Sequence, residues 1–209
     1  MTPREQYDIA AEVLTKFRMT FDPHAIVAGG AARDWYLGTP AQDIDVFYNP
    51  GRYRASVSNW LLERYGESLV LGEDLPQEYS SPYINKVVEI TIKGLKFQFI
   101  EVKDSTFSIL ETFPCNLSKA WIIPRLSLPE ESPIRGLIRT SPEFNDGIIN
   151  KELTFRKSTP LKYAKKMFSR FNDYTLRCIE DRDEAETKRY REHQEPTPVT
   201  TSPDVPPVW

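Results

Sequence analysis

The sequence predicts a fold of the α/β or α+β class, in which a mixed β-sheet packs against helices. Two observations predict it. In the first half of the chain, segments with apolar residues at helical spacing alternate with short apolar segments that are typical of buried strands. Farther along, two β-rich segments are separated by Lys93-Gly94, which indicates a tight hairpin. Strands joined through helices and strands joined by a hairpin together make the sheet mixed.

The first half of the chain is predicted as helix, strand, helix, strand and helix. Thr2 and Glu5 can form a capping box, and apolar residues recur at helical spacing from there to about Met19. The elements that follow are expected, in order, as a strand over 25–28, a helix over 31–37, a strand over 43–48 and a helix over 52–65.

The second half is expected to complete the sheet and to end in helices. The expected elements are a loop over 72–85, strands over 87–92 and 95–102, a short helix over 107–113, a strand over 117–123, irregular structure over 124–143 and helices over 161–171 and 174–192. We therefore expect a core over 1–125, an irregular segment with C-terminal helices over 126–193 that completes the domain, and a flexible proline-rich tail over 194–209.

Composition and charge exclude several classes of function. The chain has 209 residues and a formal net charge of −3, so any nucleic-acid contact has to be a local patch. Two cysteines without metal-ligand spacing and only two histidines argue against a histidine-rich metal site or a serine-type triad. No apolar run is long enough to cross a bilayer, and the N-terminus lacks the apolar core of a signal peptide. We expect a cytoplasmic protein with reduced thiols and no membrane partner.

Asp43 and Asp45 are the candidate metal ligands. They are two residues apart in an expected strand, so both carboxylates project from the same face, roughly 6–7 Å apart. Ile44 and Val46 point to the other face, into the core. Two converging carboxylates form an oxygen-rich site of the kind that binds Mg²⁺ or Mn²⁺. Because an isolated Asp-x-Asp is often only a polar strand edge, its meaning depends on the residues upstream.

Gly29, Gly30 and Arg33 are the candidate phosphate ligands. The glycine pair lies between an expected strand and an expected helix, where the missing Cβ atoms let a ligand approach the backbone closely. The start of the helix offers free N–H groups and the positive end of its dipole, and Arg33 can add a charge-assisted hydrogen bond. Taken singly, the glycine pair can be a simple turn, and Arg33 can form a surface ion pair with Asp34. Their coincidence with the downstream aspartates favours a site for a nucleoside triphosphate and metal.

The ordered motif Gly-Gly-x-x-Arg-Asp-x-x-Leu-Gly over residues 29–38, followed by Asp-x-Asp, resembles the signature of the polymerase-β superfamily of nucleotidyltransferases. It is most similar to the branch that contains CCA-adding enzymes and bacterial poly(A) polymerases. The small size and the segment over 113–121 are similar to small bacteriophage nucleotidyltransferases, for which the location would be the host cytoplasm. The resemblance is strong over residues 25–48 and weaker up to residue 123. It implies a polymerase-β-type nucleotidyltransferase core.

The sequence departs from the superfamily pattern at two positions. The superfamily commonly places a third acid on a neighbouring strand, and the position here that resembles it is Gln98. Glu101 and Glu89 are possible replacements, and we take Glu101 as the third catalytic carboxylate. Strand alternation puts Gln98 and Glu101 on opposite faces, so only one of them can serve. Pro114 occupies the position where an aspartate that helps to read the ribose is expected.

Together, these residues predict an Mg²⁺-dependent (or Mn²⁺-dependent) nucleotidyltransferase that moves a nucleoside monophosphate from an NTP to a hydroxyl acceptor and releases pyrophosphate. The acceptor stays open between an RNA 3′ end, a protein side chain and a small molecule, and the resemblance to CCA-adding enzymes favours RNA or tRNA. The alternative is a catalytically weak nucleotide-binding or protein-interaction module on the same fold.

The helix expected over 161–171 allows two interpretations. Lys162, Lys165, Lys166 and Arg170 form a basic face that is interleaved with aromatic residues. Such a helix can contact a nucleotide or RNA and stack its aromatics on bases. Equally, the aromatics can belong to the core while the lysines are only solvated.

Overall fold

The structure is a computed structural model that describes residues 1–51, 56–66, 69–71, 82–124 and 133–180, with the backbone alone at 69–71. A mixed sheet packs against helices, which confirms the predicted fold class, and the hairpin through Lys93-Gly94 is also confirmed. Five expectations lie wholly or partly outside the described residues, namely the tail over 194–209, the loop over 72–85 up to residue 81, the helix over 52–65 at residues 52–55, the irregular segment over 124–143 at residues 125–132 and the helix over 174–192 from residue 181.

The helices begin and end close to the expected residues in the first half of the chain. In chain order they are α1 (Pro3–Thr20), α2 (Gly30–Tyr36), α3 (Val57–Tyr65), α4 (Ile109–Thr112), α5 (Ile134–Leu137), α6 (Pro142–Asn150) and α7 (Leu161–Arg170). The capping box of α1 is confirmed, because the Thr2 hydroxyl accepts from the Glu5 N–H at 3.2 Å and the Glu5 carboxylate accepts from the Thr2 N–H at 2.6 Å.

The strands are β1 (Ile26–Ala28), β2 (Asp43–Tyr48), β3 (Leu69–Leu71), β4 (Ile84–Ile92), β5 (Leu95–Val102), β6 (Ala120–Ile122), β7 (Arg139–Thr140), β8 (Glu152–Arg156) and β9 (Thr175–Ile179). Seven of them form one sheet in the order β3-β4-β5-β2-β1-β6-β7, and β8 pairs with β9. In the large sheet, β2 and β5 run parallel and the other pairs are antiparallel. The centre of the sheet is therefore β5, β2 and β1, where the motif residues lie.

One face of the sheet is covered by helices, and we call it the helical face. Ile44, Val46 and Tyr48 point to it from β2 and are buried. Phe17 of α1 packs on this face, with its ring centroid 5.1 Å from that of Tyr48 and 5.0 Å from that of Phe99. Full burial of one such side chain stabilises the fold by about 1.5–3 kcal/mol. This packing fixes the direction in which β2 presents its side chains.

The opposite face carries Asp43, Asp45 and Phe47, and we call it the aspartate face. The apolar cluster on this face includes Phe47 of β2, Ile100 of β5 and Ile109 of α4. Because Asp43 and Asp45 precede Phe47 along β2, they lie at the end of the strand next to the end of β1 and outside that cluster.

Two expectations for the second half are wrong. Residues 174–192 were expected to form one helix, but Thr175–Ile179 form β9, which pairs in parallel with β8. The segment over 124–143, expected to be irregular, contains α5, β7 and the start of α6 among its described residues. The strands β7 and β9 were missed because pairing with a distant strand is a tertiary event that local periodicity does not record. The start of α6 was missed although Ser141 and Pro142 give a local signal for a helix start.

The C-terminal elements pack into the same core as α1. Phe144 of α6, Leu153 and Phe155 of β8, and Met167 of α7 belong to the buried cluster on the helical face. Within the described residues, no helix is long and apolar enough to cross a membrane.

Candidate active site

The glycine turn lies directly beside one of the candidate metal ligands. Gly29 joins β1 to α2 with φ 84° and ψ −129°, a conformation that strains any residue with a Cβ. Its N–H donates to the Ala120 carbonyl of β6 at 2.9 Å, which holds the turn against the sheet. A Cβ built on Gly29 would lie 3.9 Å from Oδ2 of Asp45 and 3.7 Å from the ring of Phe113. The backbone of the turn and the Asp45 carboxylate thus form one surface.

Asp43 and Asp45 project together from the aspartate face, as the alternation of β2 predicts. Both side chains are half-buried, whereas Ile44 between them is buried in the core. Half-buried carboxylates at the end of a strand remain reachable by a ligand while the strand holds their direction. The pair suits Mg²⁺, which is commonly held by one or two carboxylates together with substrate phosphates.

A third acid does not join the two aspartates. Among the described residues, no group of three or more His, Cys, Asp or Glu side chains is arranged to hold a metal ion. Gln98 of β5 is the residue paired with Asp45, so the amide lies where the resemblance implies an acid. If a metal binds here, its remaining ligands have to come from the substrate, from water or from neutral groups.

Gln98 belongs to a polar network on the aspartate face. Its Nε2 donates to the Glu89 carboxylate at 2.8 Å, and the Lys96 ammonium lies 2.9 Å from the same carboxylate. Burial tends to raise the pKa of Glu89, but the hydrogen bonds from Gln98 and Lys96 outweigh it and hold that pKa below its usual value. Glu89 therefore stays ionised and is engaged by its neighbours.

Glu101 lies on the opposite side of the sheet from the aspartates. In the register of β2 and β5 it pairs with Tyr48, which lies three positions after Asp45 and so points to the opposite face. The Glu101 carboxylate accepts from the Tyr48 hydroxyl at 3.4 Å and from the Asn85 amide at 3.2 Å. Burial and the Glu101 charge raise the pKa of Tyr48 above its ordinary value. This placement corrects the expectation that Glu101 is the third carboxylate.

Arg33 is buried between α2 and α7 rather than exposed at the helix start. Its Nε donates to Asp34 at 2.9 Å, Nη1 lies 3.3 Å from the Met167 sulfur, and the guanidinium sits 5.8 Å from the centroid of Phe171. The remaining terminal nitrogen, Nη2, is 3.8 Å from where a Cβ on Gly30 would lie. Arg33 therefore ties α7 to α2 and also reaches the glycine turn.

Tyr163 of α7 borders the same site, which the sequence did not single out. Its hydroxyl is 2.6 Å from the Ser118 hydroxyl. Burial raises the pKa of Tyr163 to about 12. Because Met167 of the same helix contacts Arg33, whose Nη2 lies beside the glycine turn, α7 forms a wall next to that turn. The only local signal was one tyrosine in a basic helix, and its contact with Ser118 depends on the tertiary fold.

Comparison with known proteins finds chains of the same fold among the solved structures. No protein-family model matches the chain, and no curated protein matches it. Solved structures do match, including a "tRNA-processing enzyme (apo form I)" with 16% identity and a TM-score of 0.54, and "The complex structure of CCA-adding enzyme with ATP" with 15% identity and a TM-score of 0.53. The chain shares its fold with CCA-adding enzymes. A third match, "The structure of CCA-adding enzyme apo form I", has 14% identity and a TM-score of 0.52.

These three matches cover 90% of this chain and between 42% and 46% of the matched chains. This chain therefore spans less than half the length of the CCA-adding and tRNA-processing enzymes that it matches. At such identity the likeness establishes the fold, which confirms the resemblance at that level.

Proposed function

We propose that this protein is a metal-dependent nucleotidyltransferase that moves a nucleoside monophosphate from an NTP to a hydroxyl acceptor and releases pyrophosphate. The observation that carries the proposal is the 3.9 Å between Oδ2 of Asp45 and the position of a Cβ on Gly29. The backbone of the glycine turn and a half-buried carboxylate thus meet on one surface. The shared fold with CCA-adding enzymes, one of them in complex with ATP, supports the same conclusion.

In this proposal each residue has a separate task. Asp43 and Asp45 hold Mg²⁺ against the triphosphate, and the turn at Gly29 and Gly30 brings the backbone close to the phosphates. Nη2 of Arg33, beside the turn, adds a charge-assisted contact to a phosphate oxygen. Mg²⁺, when bound, lowers the pKa of the acceptor hydroxyl and stabilises the leaving pyrophosphate.

The acceptor must supply a hydroxyl that attacks the transferred phosphorus roughly in line with the leaving pyrophosphate. We propose an RNA 3′ end as the acceptor, which is supported by the fold that this chain shares with the "tRNA-processing enzyme (apo form I)".

The test is pyrophosphate release from each of the four NTPs in the presence of Mg²⁺ and total RNA. We expect release by the wild type and loss of release in Asp43→Asn and in Asp45→Asn, which keep side-chain shape but remove the charge. The matched control is Glu101→Gln, which removes a carboxylate from the opposite face and is expected to retain release. The proposal would be contradicted by equal pyrophosphate release from all three variants. It would also be contradicted if the wild type released no pyrophosphate, either with total RNA or with whole-cell lysate as the acceptor pool.

A second candidate is favoured by one observation. Gln98, which is neutral, is the residue paired with Asp45. A site with two carboxylates and one amide can bind a metal–NTP complex while activating the acceptor poorly. Mg²⁺-dependent NTP binding that needs both aspartates, without pyrophosphate release in either acceptor pool, would identify a nucleotide-binding module.

A further inference from the structure

Helix α7 presents an outer face that is strongly cationic. Lys162, Lys165 and Lys166 are exposed, and the helix contains no acidic residue. Residues three or four apart on a helix are neighbours, so Lys162 lies next to both of the other lysines and their like charges repel one another. The whole chain carries a net charge of −3, which makes this face a local concentration of positive charge.

Among the residues that the structure describes, most lysines outside α7 are paired with acids. Six of them form ion pairs with carboxylates, namely Lys16, Lys93, Lys96, Lys119, Lys151 and Lys157. Lys165 and Lys166 have no ion-pair partner among the residues that the structure describes. These two positive charges are therefore available on the surface of α7 for an anionic partner to neutralise.

The outer face of α7 also exposes an aromatic ring. Phe168 is 40% exposed and lies one helical turn from Lys165, whereas Met167 and Phe171 belong to the core. Each of the two interpretations of this helix therefore applies to different residues. Met167 and Phe171 pack in the core, whereas Phe168 is exposed and accessible to a base. Cationic side chains next to an accessible ring are the features with which proteins hold single-stranded nucleic acid.

The inner face of α7 is fixed to the candidate active site. Tyr163 contacts Ser118, Met167 contacts Arg33, and Arg170 forms an ion pair with Asp34 at 3.0 Å. The outer face of α7 is thus held beside α2, the helix that begins at the glycine turn. A strand bound along α7 would therefore lie beside the element that carries this turn.

We propose that Lys162, Lys165, Lys166 and Phe168 form a docking surface for the single-stranded end of an RNA acceptor. This surface, the α7 outer face, holds the phosphates by charge and one base by stacking. The inference rests on the proposed function, because it assigns to that reaction the place where its acceptor binds.

The first experiment measures binding of a short fluorescein-labelled single-stranded RNA by anisotropy, without Mg²⁺ or NTP, over a range of salt concentrations. Lys165→Glu/Lys166→Glu is expected to weaken binding at least tenfold at low salt. It should also flatten the slope of log K against log salt by about 1.4, since each phosphate contact on a single strand contributes about 0.7. The matched control is Lys86→Glu/Lys103→Glu, which changes net charge equally at two other exposed lysines without an ion pair among the described residues.

Phe168→Ala is expected to weaken binding of the single strand by about fivefold or more and to leave binding of a duplex RNA unchanged. Leu161→Ala, which removes an exposed apolar side chain without a π face, is the control and should change neither. If the charge-reversed protein does not fold, Lys165→Gln/Lys166→Gln gives the same test with a smaller effect.

Equal weakening by both double lysine variants would overturn the proposal, because net charge alone would then explain binding. Binding of poly-glutamate is measured in the same way. The proposal would also be overturned if Lys165→Glu/Lys166→Glu weakened binding of poly-glutamate as much as binding of RNA and Phe168→Ala had no effect. Together, these two results would indicate an acidic protein partner. Failure of the proposed function can be distinguished from failure of the docking surface, because Asp43→Asn should keep RNA binding while it loses pyrophosphate release.

Discussion

The ion pairs around Asp34 permit a quantitative prediction about the wall of the site. Asp34 is 3% exposed, accepts from Arg33, which is 5% exposed, at 2.9 Å, and forms an ion pair with Arg170 at 3.0 Å. Asp34→Asn keeps the shape of the side chain and removes its charge. Removal of one partner from a buried pair typically costs about 3–5 kcal/mol, because the other charge stays buried and uncompensated.

We expect Asp34→Asn to lower the free energy of unfolding by about 3 kcal/mol, the lower end of that range, because the Arg170 side chain is 36% exposed and can be hydrated. The matched control is Arg170→Gln, which removes only the partly exposed partner and should cost no more than about 1 kcal/mol. Urea unfolding followed by circular dichroism gives both values. A loss below about 1 kcal/mol for Asp34→Asn, or an equal loss for Arg170→Gln, would refute the reasoning.

Three further predictions concern packing and protonation. Gly147→Ala should lower the thermal midpoint measured by calorimetry, because the added Cβ would lie 2.2 Å from the buried amide of Asn116; an unchanged midpoint would contradict this. Burial raises the pKa of Cys115 to about 11, so iodoacetamide should label only the exposed Cys178 in the native protein, and rapid labelling of both thiols would oppose the prediction. Burial raises the pKa of Tyr163 to about 12, above the value of about 10 in the unfolded chain. The protonated side chain therefore contributes fully to the free energy of unfolding below pH about 10, and this contribution is lost between pH about 10 and 12. Urea unfolding at stepped pH should show a shallower decline in this window for Tyr163→Phe than for the wild type.

The sequence predicted the first half of the fold well because its signals are local. The capping box at Thr2 and the strand Asp43–Tyr48 appear in the structure as expected. Helix starts and alternating strands depend on residues a few positions apart, which the sequence displays directly. The segment Thr175–Ile179 was wrongly expected to be helical, because its pairing partner, Glu152–Arg156, lies about 20 residues away.

The features of the candidate site also fall into those that local sequence spacing determines and those that the tertiary fold determines. The sequence by itself determined that Asp43 and Asp45 share one face and that a glycine turn precedes them, since both follow from spacing along the chain. Only the tertiary structure decided that the turn lies against Asp45, that Glu101 lies on the opposite face and that α7 forms a wall of the site. Those decisions depend on strand register and on the docking of a distant helix, which are fixed by burial of the whole core rather than by any local pattern.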